Sequence, residues 1–352
     1  MNIILKRFDY ADLFKEKLQC ELDRVEWISG GRNSKIFKVI GSDNRRFVAK
    51  LYYRDKSDRR DRLGTEFTAL SFLWQNNVKN VPRPVFAESI RGIAVYEYID
   101  GNTIQSSEIT LQDINEAVKF LLKLNQLKTI PDAAELPPAS EAVFSLQALI
   151  ENIQYRFDRL TALPKDGGLV SKCHQFLAED IRPFFNYLKK WSKDKFLSSG
   201  HDDHSILPES ERTLSPSDFG FHNALRRLDG KLVFIDFEYF GWDDPAKMIV
   251  DFILHPGMNL QKEFKKNFIE KMLVNFNEGK KLTDRLAAVY PLFGLKWCFI
   301  LLNEFIPADL ARRDFSKILP DNHEKKKALQ LKKAIRMFRE VVCNYERMFD
   351  LH

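Results

Sequence analysis

The fold of this chain is decided by residues 218–223, which read Asp-Phe-Gly-Phe-His-Asn and precede a short β-like run ending at Asp236. The stretch offers one proton acceptor, Asp218, and two oxygen ligands for a hard cation, Asn223 and Asp236. Moving a phosphoryl group from a nucleotide to an alcohol needs one carboxylate at the acceptor hydroxyl and oxygen ligands for Mg²⁺ on the phosphates. The stretch therefore predicts phosphoryl-transfer chemistry.

A hairpin is predicted immediately after this stretch. Residues 231–235 are a lysine followed by four apolar residues, two of them β-branched, and they follow the turn signal at residues 229–230, so they read as the second strand of a hairpin that ends at Asp236. Taken singly, Asp and Asn are ordinary loop residues that bond to nearby backbone. The functional interpretation therefore depends on whether the upstream chain holds separate nucleotide-handling parts in the right order.

A glycine pair joins two strand-like runs near the start of the chain. Gly30 and Gly31 lie between residues 25–28 and 36–39, and Ser34 follows them. Adjacent glycines let backbone N–H groups approach phosphate oxygens without a Cβ in the way. A Gly-Gly hairpin turn is the commoner meaning, because no strand-loop-helix order follows. In this context we predict that all three residues bind nucleotide phosphates.

The next strand-like run, residues 46–52, places Lys50 among apolar neighbours, where an ammonium group needs an anionic partner. Residues 61–75 have apolar side chains at helical spacing, with Glu66 near the boundary of the apolar stripe. An ion pair between Lys50 and Glu66 would aim the lysine at nucleotide phosphates. The competing interpretation is that both are solvated surface charges, as most Lys and Glu residues are.

A connector and a strand follow this helix. Residues 81–85 contain two prolines and read as extended, and residues 92–99 read as a strand. We predict a hinge here, with the backbone of Glu97, Tyr98 and Ile99 bonding an adenine edge. The alternative is an ordinary central strand that ends in a turn.

In this order, over residues 22–255, the parts resemble the aminoglycoside phosphotransferase and choline kinase-like family, relatives of the protein kinases. The resemblance implies an α+β, bilobal, protein kinase-like fold. A small β-rich lobe, residues 1–101, would bind the nucleotide and end in the hinge. A large, mostly helical lobe, residues 102–352, would carry the catalytic and substrate residues and a long C-terminal helix. In that family ATP or GTP sits between the lobes.

The resemblance also implies roles for single residues. They are Asp218 as catalytic base, Asn223 and Asp236 as Mg²⁺ ligands, and Lys50, paired with Glu66, as the phosphate-binding lysine. One departure is plain, because the family usually reads His-Gly-Asp at the base, whereas Pro216 stands here in place of the histidine. A rigid proline can replace a histidine that only supports loop geometry. If that histidine contributes more, turnover is slow, and a catalytically impaired nucleotide-binding regulator is the alternative.

Helical spacing recurs at the C-terminus. The apolar positions of this stripe are Ala328, Leu331, Ile335, Phe338, Val342, Tyr345 and Phe349. Such a stripe predicts a long helix that packs on the large lobe, with a coiled-coil dimer as the less favoured alternative. Monomer and homodimer both stay open.

Charge gives a hint about the acceptor. Residues 251–352 hold 19 Lys and Arg against 13 Asp and Glu, an excess equal to the net charge of +6 of the whole chain. A cationic acceptor would favour carboxylates around it, so we predict a neutral or anionic alcohol such as a sugar. The equally good alternative is that these lysines are the solvated face of the last helix. No basic motif interleaved with aromatic residues indicates nucleic acid.

Length and composition fit a two-lobed protein, with 352 residues of which 44% are hydrophobic. No signal segment or uninterrupted apolar run of membrane length is evident, and the 4 cysteines are widely separated, so we predict a cytoplasmic protein with no membrane span. Protein-kinase activity is the least favoured function, because no Ala-Pro-Glu signature follows Asp236. The sequence thus predicts a small-molecule kinase that uses Mg²⁺ and ATP or GTP.

Overall fold

The computed structural model describes residues 9–28, 33–55, 60–164, 167–200, 202, 204–276, 279–315 and 322–349. Gly30 and Gly31, predicted to bind phosphate, lie outside these residues. The chain divides into two compact units, and each is described by itself. The first unit comprises Met1–Thr103, Asn223–Tyr239 and Ala311–Pro320, and the second comprises Ile104–His222, Phe240–Leu310 and Asp321–His352.

The first unit is built on a five-stranded antiparallel sheet in the order β1-β2-β3-β5-β4. Its elements are α1 (Ala11–Leu18), β1 (Leu22–Ile28), β2 (Ser34–Gly41), β3 (Arg46–Tyr52), α2 (Arg62–Gln75), β4 (Pro84–Glu88) and β5 (Ile93–Glu97). Alternation explains β3, because the alternate residues Phe47, Ala49 and Leu51 face the core.

The core of the first unit lies between α1 and the sheet. Phe14 of α1 meets Phe47 and Phe86 edge to face, with ring centroids 5.9 and 5.5 Å away. Edge-to-face pairs add to the stability that apolar burial provides. Helix α2 follows β3 along the chain. Asp61 caps its N-terminus, because the Asp61 side chain accepts a hydrogen bond from Gly64 N.

The predicted hairpin is present in the first unit. It joins β8 (Ala224–Arg227) to β9 (Leu232–Phe234), with Ala224 opposite Phe234, and β6 (Gly101–Thr103) pairs with β8 in the same small sheet. Gly230 turns the hairpin with a φ of 80°, a conformation open to glycine and costly for most residues.

The second unit is mainly helical. Its elements are α3 (Leu111–Leu127), α4 (Leu146–Thr161), α5 (Gly168–Phe176), α6 (Arg182–Ser198), β7 (Thr213–Ser215), β10 (Gly241–Asp243), α7 (Pro245–Leu254), α8 (Lys262–Asn275), α9 (Gly279–Leu302), the start of α10 (Pro307–Phe315) and α11 (His323–Asn344). Strands β7 and β10 form a two-stranded antiparallel ladder. The N-terminal region is therefore a β-sheet region and the C-terminal region a helical one, which confirms the predicted α+β class.

Helix α9 forms the core of the second unit. The segment Gly279–Phe305 is long and apolar enough to cross a membrane by length and composition, but 83% of its most apolar window is buried inside the protein. It is the one such segment among the described residues. A search for uninterrupted apolar runs misses it because Lys296 interrupts the sequence. Burial by the neighbouring helices is typical of a core helix.

The last helix packs on α9 and buries Leu331 of the predicted stripe, but its buried face is rotated from the rest of that stripe. Its buried residues are Leu331, Ala334, Met337 and Val341, whereas Val342 of the predicted stripe is exposed. The reason lies on α9, where a Cβ at Gly294 would overlap the Val341 side chain. Because Gly294 has no side chain, there is room for Val341 at this point, and this contact sets the rotation of α11.

Candidate functional site

Lys50 lies at the centre of a group of carboxylates in the first unit. Its Nζ is 2.7 Å from Glu66 Oε2 and 2.9 Å from Asp236 Oδ1. The side chains of Lys50 and Glu66 are almost fully buried, while that of Asp236 is 33% exposed. Strand β3 places the lysine and α2 places Glu66, so the structure brings the predicted ion pair together. We call Lys50, Glu66, Asp236 and Glu238 the Lys50 cluster.

Two tyrosines extend the hydrogen bonds of this cluster beyond Glu66. Tyr52 donates its hydroxyl hydrogen to Glu66 Oε2 at 2.7 Å, and the hydroxyls of Tyr52 and Tyr96 lie 2.8 Å apart. Because the Glu66 carboxylate receives hydrogen bonds from both a lysine and a tyrosine, its orientation towards Lys50 is fixed. Sequence reasoning did not single out either tyrosine, and nothing in their spacing marks them.

Asp236 follows β9 in an unusual backbone conformation. Its φ is 68°, in the left-handed region, where non-glycine residues are uncommon. The preceding residue, Ile235, donates its backbone N–H to the carbonyl of Asn223 at 2.9 Å. The open end of the hairpin therefore brings the two predicted metal ligands, Asn223 and Asp236, onto neighbouring chain segments.

Glu238 is a further buried carboxylate of the same group. It accepts a hydrogen bond from the Asn33 amide, which also donates to the Tyr239 hydroxyl at 2.7 Å. Arg62 Nε is 3.9 Å from the Glu238 carboxylate. Asn33 was missed by sequence reasoning, because one asparagine beside a glycine pair carries no signal that it reaches a glutamate 205 positions away.

The electrostatics of the Lys50 cluster favour additional positive charge. Burial raises the pKa of Glu238 to about 8, and the Asp236 carboxylate adds to the shift. Burial likewise raises the pKa of Glu66, although Lys50 opposes this. Burial alone would lower the pKa of Lys50, but Asp236 and Glu66 hold it well above its usual value. An added cation near these carboxylates would therefore favour their ionised forms.

Oxygen atoms of this cluster lie close enough to ligate a metal ion. One carboxylate oxygen each from Glu66, Asp236 and Glu238 lies within 4.8 Å of the others. Carboxylate oxygens are the ligands that Mg²⁺ prefers, and a divalent cation would offset both the burial and the nearby Asp236 charge that raise the pKa of Glu238. Asp236, the partly exposed carboxylate of the three, therefore offers an oxygen that fits Mg²⁺.

The remaining predicted residues that the structure describes in the first unit lie in strands of the five-stranded sheet or directly after one of them. Ser34 begins β2, opposite Tyr52, and is buried. The N–H groups of Glu97 and Tyr98 already donate to the carbonyls of Arg83 and Arg46, at 2.9 and 3.3 Å. These two N–H groups of the predicted hinge are thereby already occupied within the sheet, and adenine binding by Glu97, Tyr98 and Ile99 stays a prediction.

Asp218, in the second unit, follows a tight turn. Its backbone N–H donates to the carbonyl of Pro216 at 2.8 Å, and the intervening Ser217 has a φ of 66°, which together make a γ-turn. Lys247 Nζ donates to Ser217 Oγ at 2.9 Å and is almost completely buried. The turn is thus supported from α7 by a lysine that sequence reasoning did not identify.

Two histidines contact the Asp218 carboxylate. His222 Nε2 lies 3.2 Å and His255 Nε2 3.1 Å from Oδ1. Desolvation alone would raise the pKa of Asp218, but hydrogen bonds from the two imidazoles hold that pKa well below its usual value. We call these three residues the Asp218 cluster. His255 was missed because it follows α7, far from the sequence motif.

Comparison with known proteins gives a family match. Residues 24–273 match the model of the phosphotransferase enzyme family. No curated protein matches the chain.

Solved structures share the fold over nearly the whole chain. A spectinomycin phosphotransferase solved with ADP and spectinomycin has a TM-score of 0.62 and 15% identity, and the match covers 91% of this chain and 97% of that one. A choline kinase from Streptococcus pneumoniae has a TM-score of 0.59 and 14% identity, and the match covers 96% of this chain and 99% of that one. A Plasmodium vivax ethanolamine kinase has a TM-score of 0.58 and 16% identity, and the match covers 91% of this chain and 83% of that one. At these identities the likeness concerns the fold, and it confirms the predicted protein kinase-like class.

Proposed function

Because this chain belongs to the phosphotransferase enzyme family, and so is a small-molecule kinase, we propose that it transfers the γ-phosphoryl group of ATP to a hydroxyl of a small molecule. ATP is proposed ahead of GTP because the spectinomycin phosphotransferase that shares this fold was solved with ADP. The acceptor, the nucleotide and the residue roles below are parts of this proposal.

The contact of Lys50 with Glu66 and Asp236 is the observation that carries the proposal. A buried ammonium held at 2.7 and 2.9 Å by two carboxylates is fixed in direction, so it can meet phosphate oxygens without searching. Phosphoryl transfer relies mainly on such positioning and on electrostatic stabilisation of the phosphates. In the proposal Glu66 orients Lys50, and Lys50 binds the phosphates.

The Mg²⁺ ion is assigned to Asn223 and Asp236. Their amide and carboxylate oxygens suit a hard cation, and the hydrogen bond from Ile235 to Asn223 supports their proximity. When bound, the ion would neutralise charge on the phosphate oxygens. Glu238 is buried and hydrogen bonded to Asn33, so the proposal gives it a supporting role, and its carboxyl, whose pKa is raised to about 8, would ionise more readily once a cation is bound nearby.

The nucleotide is assigned to the five-stranded sheet. The Glu97 carbonyl and the Ile99 N–H would form hydrogen bonds with the adenine edge. The Tyr98 side chain between them contacts Lys38, whose Nζ is 4.6 Å from the centroid of the tyrosine ring. Gly30, Gly31 and Ser34 are proposed to approach the phosphates through their backbone. For the glycines this rests on the sequence alone.

Asp218 is proposed as the base. The acceptor oxygen would form its bond to the γ-phosphorus while the bond from that phosphorus to the bridging oxygen of ADP breaks. The hydroxyl proton would pass to the Asp218 carboxylate and then to solvent. The low pKa of Asp218 supports a group that is ionised before the acceptor arrives. Its side chain is 35% exposed, which gives an acceptor access to it.

The acceptor is proposed to be a neutral or anionic alcohol, with a sugar as the leading class. The basic excess of residues 251–352 supports this choice, because a cationic acceptor would be repelled by it. A protein acceptor is disfavoured by the short connection after Asp236, since only residues 237–244 precede α7.

The test is ADP release with Mg²⁺ and ATP across matched neutral, anionic and cationic alcohols, for wild type, Asp218→Asn and Asp229→Asn. Asp229 is a turn aspartate with 46% of its side chain exposed, so its variant is the matched control. We expect Asp218→Asn to lower kcat by about 10²- to 10⁴-fold, the usual contribution of a general base, with ATP affinity kept.

Each outcome has a distinct meaning. ATP binding without release for any acceptor would favour the nucleotide-binding regulator. Equal turnover in wild type and Asp218→Asn would remove Asp218 as base. Faster ADP release with cationic than with neutral or anionic alcohols would overturn the proposed acceptor class but not the proposed phosphoryl transfer.

A further inference from the structure

Both imidazoles of the Asp218 cluster reach the same carboxylate oxygen. His222 Nε2 and His255 Nε2 lie 3.2 and 3.1 Å from Oδ1 of Asp218. Their rings are stacked, with centroids 3.6 Å apart and planes only 5° from parallel. His222 comes from the turn after Asp218 and His255 from the end of α7, so two separate chain segments converge on one atom.

The hydrogen position on His255 follows from its other nitrogen. Gly257 donates its backbone N–H to His255 Nδ1 at 3.1 Å, so Nδ1 acts as the acceptor. A neutral imidazole has one donor and one acceptor nitrogen, and Nε2 is therefore the donor to Asp218. Trp297 holds the ring from the side, edge to face at 4.7 Å, while its own Nε1 donates to Asp251.

A metal ion does not suit these residues as they stand. Asp218, His222 and His255 offer ligand atoms within 4.8 Å of one another. However, a metal bound to imidazole lies in the plane of the ring along the nitrogen lone pair, and two stacked parallel planes cannot both contain one ion. Hydrogen bonds tolerate such tilting much better than coordination does. The pair therefore acts as two N–H donors.

The surrounding loops are built around the two rings. A Cβ at Gly220 would lie 2.9 Å from His222 Nδ1 and would overlap Met258 Sδ, and one at Gly257 would lie 3.0 Å from ring atoms of His255. Glycine at these positions leaves the space that the imidazoles occupy. The γ-turn before Asp218 and its bond from Lys247 fix the backbone, so rotation of the carboxylate is the motion left to control.

We propose that His255 is a positioning residue that, together with His222, holds Oδ1 of Asp218 and so presents Oδ2 to the acceptor hydroxyl. The inference rests on the proposed function, in which Asp218 accepts the proton of that hydroxyl. His255 touches neither substrate nor nucleotide in this scheme and acts only through Asp218. A carboxylate free to rotate would reach the reactive geometry in only part of its conformers, and an error of about 1 Å costs on the order of 10²-fold in rate.

The test compares kcat and the KM for ATP in three variants of His255. His255→Phe keeps a ring for stacking but has no donor, His255→Asn has an amide too short to reach Oδ1, and His255→Gln places an amide N–H where Nε2 stood. We expect kcat to fall about 10- to 100-fold in the Phe and Asn variants and to recover to within about threefold of wild type in the Gln variant. KM for ATP should not change.

The control is His174→Phe, which removes an imidazole bonded to the backbone carbonyl of Leu163 at 3.0 Å. This variant should keep the wild-type kcat. A second arm repeats the His255 substitutions in the Asp218→Asn background, where they should have no further effect on kcat because the residue they act through is gone. Melting temperatures show which variants are folded, and the Asn variant serves if the Phe variant does not fold.

The failures are separable. Absence of transfer by wild type with every acceptor overturns the proposed function and this inference with it. Transfer by wild type with an unchanged kcat in folded His255→Phe or His255→Asn overturns the positioning role alone. Equal losses in all three His255 variants, or further losses in the Asp218→Asn background, would also overturn it, because they would indicate a structural role independent of Asp218.

Discussion

In the Lys50 cluster one lysine pairs with two carboxylates and a third, Glu238, lies close to both, whereas in the Asp218 cluster two imidazoles share one carboxylate. The consequences for pKa are opposite. The pKa values of Glu66 and Glu238 are raised, and that of Asp218 is held well below its usual value. Crowded carboxylates are relieved by an added cation, while a carboxylate with two donors is already satisfied. The first cluster is thus suited to gain positive charge and the second to hold one ionised group still.

The largest effect is expected where the Lys50 cluster loses its cation. Lys50→Met leaves the buried Glu66 carboxylate without its ammonium partner, and breaking a buried ion pair from one side costs about 3–5 kcal/mol in free energy of unfolding. Urea denaturation at neutral pH measures this cost. Lys15→Met is the matched control, since Lys15 pairs with Glu21 at the surface and such pairs contribute about 0–1 kcal/mol. Equal losses in both variants would contradict a special role for the buried lysine.

Adding a cation should distinguish the clusters next. A saturating Mg²⁺·ATP complex should stabilise the wild type by about 2.7 kcal/mol at 100 times its Kd. Asp236→Asn should lose most of this stabilisation, while Asp218→Asn and the turn variant Asp229→Asn should keep it. Denaturation with and without Mg²⁺·ATP measures the difference. Retention of the full effect in Asp236→Asn would remove Asp236 as a ligand.

The packing of the Asp218 cluster can be broken without touching a charge. Gly220→Ala adds a Cβ that would overlap Met258 and crowd His222, so we expect a loss of about 1–3 kcal/mol in stability, as for other overpacked sites. Gly279→Ala is the control, because a Cβ there meets nothing within 4 Å. The urea midpoints of the two variants measure this loss. An unchanged stability of Gly220→Ala would show that the loop adjusts to the added methyl group.

The two clusters also differ in how far the sequence predicted them. The Lys50 to Glu66 pair and the hairpin to Asp236 follow from local patterns, namely a lysine in an apolar strand, a helical stripe and an Asp-Gly turn. His255 and Asn33 follow from none, because each meets its partner through the tertiary fold. The roles assigned to these residues, like the domain boundary at residue 101 and the cytoplasmic location, stay predictions.

The rotation of α11 shows the same limit within one element. Helical spacing predicted the helix itself, but apolar residues occur on more than one of its faces. The choice between Val341 and Val342 was made by Gly294 on α9, a residue about fifty positions away in sequence. Periodicity fixes the type of element, while the partner surface fixes which side is buried.

The smallest effect expected is the acid dependence of the Asp218 cluster. The folded-state pKa of Asp218 lies below its unfolded value, so the stability from its two imidazole bonds is present above the unfolded pKa, near pH 4, and is lost as pH falls through the folded pKa. Asp218→Asn cannot ionise and lacks this dependence. Because the side chain is 35% exposed, we expect wild type to lose only about 1 kcal/mol more than Asp218→Asn between pH 5 and about pH 2. Guanidinium denaturation at several acidic pH values measures the difference, and parallel curves for the two proteins would mean that the imidazoles do not stabilise the ionised carboxylate.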